Sequence, residues 1–251
     1  MIENIAIVLV RPRFPENIGA CCRAMNNMGL DRLIVVSPAD FDLRRIEKMA
    51  IHSSAHVVEK IAVYDDLETA LADFTFIAGT TARMGRQRQM VITPRQFAAE
   101  MQTVAPENNT AILFGPEDRG LDNDAIRYCH RLIHIPTSEF ASLNLAQAVM
   151  VICYELFVAG AHSGKAFSPR FAEHHELEGM YGHLKDALIK IDFINPENPD
   201  YWMNNFRRFF ARIGLTAKEV RLIRGICRQI NWYGEKRYAD GLKAAGRGGE
   251  E

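Results

Sequence analysis

Apolar residues run in short unbroken blocks along the first half of the chain: "IAIVLV" (5–10), "LIVV" (33–36), "TFIAGT" (75–80), "AILFG" (111–115) and "LIHIP" (132–136). Blocks of this length, rich in isoleucine and valine and without polar alternation, predict strands buried on both faces. "VVEKIAVY" (57–64) adds a further strand near its end. Helical patterns lie between the blocks, as in "DDLETALADF" (65–74) and "TPRQFAAEMQ" (93–102). Strand and helix alternating to about residue 160 predict an α/β fold built on a parallel sheet.

The pattern then changes. "AHSGKAFSPRF" (161–171) reads as a linker, and three helical stretches follow at roughly 172–192, 199–213 and 216–232. "NPENP" separates the first two and "GLT" the last two. Thr216 with Glu219 has the spacing of a capping box. The expected division is an α/β domain over 1–160, a linker over 161–171, a helical extension over 172–240 and a disordered tail over 241–251.

Composition narrows the class without choosing a function. The 251 residues suit one or two domains, and 48% hydrophobic with 24% charged content is ordinary for a soluble protein. The most apolar stretch, "SLNLAQAVMVICYELFVAG" (142–160), holds Asn144, Gln147 and Glu155. That favours a buried or interface helix over a membrane span. The start carries no basic segment ahead of its apolar run and no small-residue cleavage site behind it. Five cysteines without CxxC spacing predict reduced thiols in a cytoplasmic protein.

Three stretches carry the candidate chemistry. In "RFPENIGACCRAMNNMG" (13–29), a helix from Asn17 puts Ile18, Cys21, Cys22, Met25 and Met28 on one apolar stripe. Gly19, Arg23 and Asn26 then fall on the open side, where the glycine admits a close approach and the guanidinium suits a phosphate. The alternative is Asn17 as a helix N-cap with a solvated arginine. "LFGPEDRGL" (113–121) leaves a strand through Gly115 and sets Glu117 ahead of Gly120. "HIPTSEFASLNLAQ" (134–147) leaves another through Pro136 and enters the apolar helix at Ser142, an N-cap candidate, with Asn144 in its first turn. Both loops follow strands, where open α/β sheets bind ligands; the alternative for each is a turn with a capped helix.

In order and spacing these stretches resemble the three signature motifs of the SPOUT-class RNA methyltransferases: N-x-G-x-x-x-R (Asn17, Gly19, Arg23), G-x-E-x-x-G-L (Gly115, Glu117, Gly120, Leu121) and I-P…S-L-N (Ile135, Pro136, Ser142, Leu143, Asn144). "GTTAR" (79–83) and, more weakly, the stretch 188–226 are similar to the TrmJ branch of that class. Asp118 stands where many relatives have glycine, and "TSEFA" (137–141) lacks a glycine common in motif three. The resemblance implies a sheet whose C-terminal segment is threaded into a deep trefoil knot, which no periodicity predicts. It also implies a homodimer with each active site built across the interface, and S-adenosylmethionine as methyl donor.

By the same resemblance the donor's adenosine sits among Thr80, Thr81, Ala82, Gly115, Ile135, Ser142 and Leu143. The acceptor is a ribose 2′-hydroxyl of RNA, most simply tRNA at the first anticodon-loop nucleotide, a cytidine or uridine. Arg23 from the partner subunit takes its proton or orients it, and Asn17, Glu117 and Asn144 hold substrate or loops. Ribosomal RNA is the rival substrate, and a non-catalytic RNA-binding knot the rival class. No G-x-G-x-x-G follows the first strand, which disfavours a Rossmann-type methyltransferase.

Net charge is only −1, but residues 201–237 hold nine Lys/Arg against two Asp/Glu. Arg221, Arg224 and Arg228 recur near one helical face, and Arg83, Arg86 and Arg88 mark a basic loop beside the donor pocket. Both are candidate RNA contacts. Trp202, Phe206, Phe209, Phe210, Trp232 and Tyr233 are interleaved with the basic residues, and most are expected in the core of the helical extension. The histidine pairs 52/56 and 130/134 lack companion ligands at metal spacing, so no metal site is expected.

Overall fold

The computed structural model describes residues 2–82, 91–138, 143–160 and 170–247, with residues 241–247 as backbone only. Two compact units divide it, Met1–His174 and His175–Glu251.

In the first unit the apolar blocks form strands β1 (Ile5–Val10), β2 (Leu33–Val36), β3 (Ala62–Tyr64), β4 (Phe76–Thr80), β5 (Val91–Ile92), β6 (Thr110–Phe114) and β7 (Arg131–Ile133). They make one parallel sheet in the order β3-β2-β1-β6-β4-β7-β5. Every residue of β1, β2 and β6 is buried, the mark of a sheet covered on both faces.

Helices α1 (Pro15–Asn27), α2 (Leu43–Ala50), α3 (Ala55–Glu59), α5 (Pro94–Val104) and α7 (Leu145–Gly160) cover one face, where Ile7, Leu9, Met25, Phe97 and Ile152 meet. Helices α4 (Leu67–Leu71) and α6 (Asn123–Ile126) lie over the other, against Val8, Val10 and Leu113. The late strands β6 and β7 are inserted beside β4 and not at the sheet's edge. Three loops far apart in sequence therefore leave the carboxyl ends of neighbouring strands, where Gly79 pairs with Leu113 and Thr80 with Ile133.

Local chemistry sets the helix ends. Pro15 opens α1 at its first turn, so Asn17 lies inside the helix and is not its cap. Thr93 and Gln96 close a capping box on α5. Gly19 faces inward against α2: a Cβ there would sit 2.1 Å from the Ile46 carbonyl oxygen. It is a helix-packing residue and not part of the open side that the spacing predicts, because α2, whose inner stripe is only Ile46 and Ala50, crosses at that point. Arg23 is exposed as expected, and Asn26 is half-buried.

The second unit holds α8 (His174–Lys190), α9 (Pro199–Ile213) and α10 (Ala217–Arg247). Thr216 and Glu219 make the expected capping box, with Glu219 Oε2 accepting the Thr216 N–H at 2.7 Å and Thr216 Oγ1 accepting the Glu219 N–H at 3.4 Å. Its interior is mostly aliphatic: Met180, Ala187, Ile194, Met203, Leu215 and Val220 are buried. Trp202, Phe209, Trp232 and Tyr233 are exposed, and Phe206 and Phe210 half-buried, against the expectation that most aromatics form this core. A three-helix unit of this length has too little interior for six rings. Helix α10 runs to Arg247, so the tail expected from 241 is helical for most of its length.

Candidate active site

The loop after β6 is shaped by two glycines. Gly115 lies so close to the returning chain that a Cβ would be 2.2 Å from the Gly120 carbonyl carbon and the Leu121 nitrogen. Gly120 takes φ +69, and its N–H closes the turn on the Pro116 carbonyl at 2.9 Å. This tight loop aims the Glu117 side chain back toward the start of α1.

Glu117 begins a chain of hydrogen bonds joining all three motifs. Its Oε2 accepts the main-chain N–H of Arg13 at 3.0 Å, and its Oε1 accepts Nδ2 of Asn17 at 2.7 Å. Asn17 Oδ1 in turn accepts Nδ2 of Asn144 at 3.2 Å. Asn144 Oδ1 accepts the Ala146 N–H at 2.9 Å, and Gln147 Oε1 accepts the Asn144 N–H at 3.0 Å. Asn144 is thus the N-cap of α7, its side chain on the second N–H of the helix and Gln147 reaching back to its main chain as in a capping box. The cap lies two residues later than the Ser142 that the sequence suggests, because the helix starts only at Leu145. The acceptor-only carboxylate fixes the Asn17 amide: its NH2 must face Glu117, leaving its oxygen for Asn144.

Ion pairs flank this chain. Arg13 Nη1 meets Asp118 Oδ2 at 2.7 Å, so the acid that replaces a common glycine ties the motif-two loop to the end of β1. Arg11 pairs with Asp122, the N-cap of α6.

The candidate donor residues gather at the ends of β4, β6 and β7. Thr80 Oγ1 donates to the Leu113 carbonyl at 3.0 Å, the Thr81 N–H to the Ile133 carbonyl at 2.9 Å, and a ring nitrogen of His134 lies 3.1 Å from the Thr81 carbonyl. Gly115 follows β6, and Ile135, which packs against the core, follows β7. Ala82 is exposed and Leu143 half-buried. These bonds fix the main chain at the strand ends, and the residues gathered there carry no charged side chain, a chemistry that suits a neutral adenine and its ribose. Ser142 and the basic loop residues Arg83, Arg86 and Arg88 lie outside the described residues.

Beneath the site α1 and α7 bury Cys21, Cys22 and Cys153. Burial pushes the Cys22 and Cys153 thiols up to about 12 and raises Cys21 as well, so these are packing residues and not nucleophiles.

Arg23 stands apart from the hydrogen-bonded chain. It lies six residues beyond Asn17 on α1, about 9 Å along the axis and about 120° around it. It has no hydrogen bond or ion pair among the described residues, and its guanidinium side is exposed. In the second unit Arg221 and Arg228 are exposed, while Arg224 is half-buried with its guanidinium 3.7 Å from where a Cβ on Gly179 would be.

Arg13 and Gln147 are the site residues that sequence reasoning missed. Gln147 was readable, since Asn-x-x-Gln before an apolar run is a capping-box pattern. Arg13 was not, because its bond to Glu117 is made by the main chain.

Both parts of the chain are similar to known proteins. Residues 4–154 match the SpoU rRNA Methylase family, and residues 175–243 match the C-terminal domain of the tRNA methyltransferase TrmJ. The chain is 35% identical over 241 residues to the tRNA (cytidine/uridine/adenosine-2'-O-)-methyltransferase TrmJ of Pseudomonas aeruginosa, covering 90% of this chain and 93% of that one. It is also 35% identical to the tRNA (cytidine/uridine-2'-O-)-methyltransferase TrmJ of Cronobacter sakazakii, covering 92% and 97%. Among solved structures, TrmJ from Z. mobilis superposes with a TM-score of 0.78 at 33% identity, over 90% of this chain and 98% of that one. With both parts matched in order along one chain, the protein belongs to the SpoU methylase family, in its TrmJ branch.

Proposed function

We propose that this chain transfers a methyl group from S-adenosylmethionine to the ribose 2′-hydroxyl of tRNA. The observation that carries the reading is the continuous chain Arg13–Glu117–Asn17–Asn144, which locks the three motif loops to one another beside the main-chain cradle. The relatives act on cytidine and uridine, and one also on adenosine. A ribose acceptor suits such tolerance, since the reacting hydroxyl is common to every nucleotide. The first anticodon-loop nucleotide is the proposed target.

Bound in the cradle, the donor supplies an electrophilic sulfonium methyl. Thr80, Thr81, Ala82, Gly115, Ile135, Ser142 and Leu143 hold its adenosine. Glu117 orients Asn17, and Asn17 with the α7 cap Asn144 keeps the acceptor side of the pocket in register. Arg23 steers the hydroxyl, whose proton passes to solvent water as the oxygen takes the methyl group and the sulfonium leaves as the neutral thioether. An arginine gives up its own proton only above about pH 12, so orienting the hydroxyl and stabilising the charge that develops on it is the role that fits its chemistry.

Since Arg23 projects away from its own chain's Asn17, it serves the site of a second copy. Helix α7 supports a homodimer. Its inner side buries Val149, Ile152, Cys153 and Leu156, yet Tyr154, Phe157 and Val158 stand exposed at helical spacing. A helix apolar on all sides needs a covering surface on each. The resemblance of the three motifs to the SPOUT class, together with a late strand β7 lying between β4 and β5, supports a trefoil knot in the C-terminal segment of this unit. Arg83, Arg86 and Arg88, and Arg221, Arg224 and Arg228 on α10, are the proposed contacts to RNA phosphates. No described helix is long and apolar enough to cross a membrane. The proposed place of action is the cytoplasm, where tRNA is made.

The test is modification mapping. Deleting the gene should remove a 2′-O-methyl group from tRNA, and purified protein should restore it with S-adenosylmethionine. Loss confined to ribosomal RNA would move the substrate, and no loss in either RNA would overturn the reading.

A further inference from the structure

Away from the cradle, a groove of about 590 Å³ opens at the other end of the sheet, where α2 and α3 meet β3. Four large apolar side chains that line it are exposed: Phe41 (36%), Leu43 (49%), Ile51 (42%) and Val63 (48%). Scattered exposed apolar residues need no explanation, but four in one concavity do. Strand β3 is the last in the sheet, so its outer main-chain groups have no strand partner among the described residues. Ile51 holds φ 57 and ψ 164, a conformation costly for a β-branched residue, and it is kept in the groove wall. Two carboxylates, Glu47 and Glu59, also line the groove, and neither has a hydrogen bond or ion pair among the described residues. Of the neighbouring cations, Arg45 and Lys60 are engaged elsewhere, with Glu16 and Asp40 and with Asp31, while His52 is the one basic side chain in the lining and Arg44 and Lys48 on α2 are not among it.

We propose that this groove docks an extended peptide segment of a partner protein, with an apolar centre and basic flanks, added as a strand to the free edge of β3. Main-chain hydrogen bonds to the edge would give register, apolar side chains would fill the space among Phe41, Leu43, Ile51 and Val63, and lysine or arginine flanks would meet Glu47 and Glu59. The same two carboxylates repel phosphate, so this surface is not a continuation of the RNA site. The inference does not depend on the methyl-transfer reading.

The test uses the full chain and an end-blocked peptide with a leucine–valine–leucine centre flanked by lysines, read by fluorescence anisotropy and amide hydrogen exchange. The expected result is saturable binding that slows exchange at 61–64. Glu47→Lys with Glu59→Lys should weaken it at least about tenfold, beyond loss by salt alone. The peptide with glutamate flanks should not bind, and both exposed substitutions should leave methyl transfer unchanged. Equal binding to wild type and double variant, protection only outside 61–64, or displacement of the peptide by tRNA would each overturn the proposal.

Discussion

Glu117 is where one side chain sets the position of others. Replacing it with glutamine keeps the shape but turns one acceptor oxygen into a donor that faces either the Arg13 N–H or Asn17 Nδ2. In the first case the hold on the Arg13 main chain is lost; in the second the Asn17 amide must rotate, and Asn144 loses its partner. Glu117→Gln should lower kcat about 10- to 100-fold, the size expected for an ångström-scale misplacement, with S-adenosylmethionine affinity nearly unchanged by calorimetry. An equal fall in donor affinity would instead place Glu117 in the donor pocket.

His130 gives a separate prediction, of stability. It is buried, its Nδ1 accepts the Ile77 N–H at 3.0 Å, and its ring stacks on Phe76 at 5.3 Å. Burial, then the nearby His174, push its pKa down to about 4. Between about pH 6.5 and pH 4 the unfolded chain takes up a proton that the folded chain refuses, so stability present above that window is lost as pH falls through it. The total is on the order of 3 kcal/mol. Urea denaturation of His130→Asn, which keeps an acceptor for Ile77, should show a flatter acid limb than wild type.

At the scale of elements, helix ends divide what the sequence displays from what it conceals. Thr216 and Glu219 were visible as a capping box because both partners lie within one turn. Thr216→Ala should cost about 1 kcal/mol of second-unit stability in thermal melts, leaving donor binding in the first unit unchanged. Bonding to the Thr216 N–H and then to its hydroxyl holds the Glu219 carboxyl below its usual range, so this cap weakens only on acidification. The far end of α10 was misjudged because propagation is cheap: no proline interrupts 217–247, and alanine, leucine and lysine extend a helix already started. Strands β1, β2 and β6 were legible as unbroken apolar runs, whereas β5 is two residues long and carries no pattern. Gly19 was misplaced since its reason for being glycine is the Ile46 carbonyl on α2, a tertiary partner that helical spacing does not contain.

For the whole molecule, the strand order β6-β4-β7 was invisible to periodicity, yet it is what brings Gly115, Thr80 and Ile135 to one edge. Motif resemblance carried that information, because it encodes a topology that local patterns do not. The same scale decides where Arg23 acts. If each site takes its arginine from the other copy, Arg23→Ala and Glu117→Ala homodimers are both impaired for different halves of one site. Refolding the two variants together in equal amounts gives mixed dimers in half of the population by chance. In each mixed dimer one site pairs the defective arginine with the defective carboxylate, and the other site is wild type throughout. Activity should therefore recover to about a quarter of wild type. If the reacting groups all lie within a single chain, every chain in the mixture still carries one defect and mixing restores nothing. Tyr154→Asp with Phe157→Asp on the exposed side of α7 should abolish the recovery as sedimentation shifts to monomer.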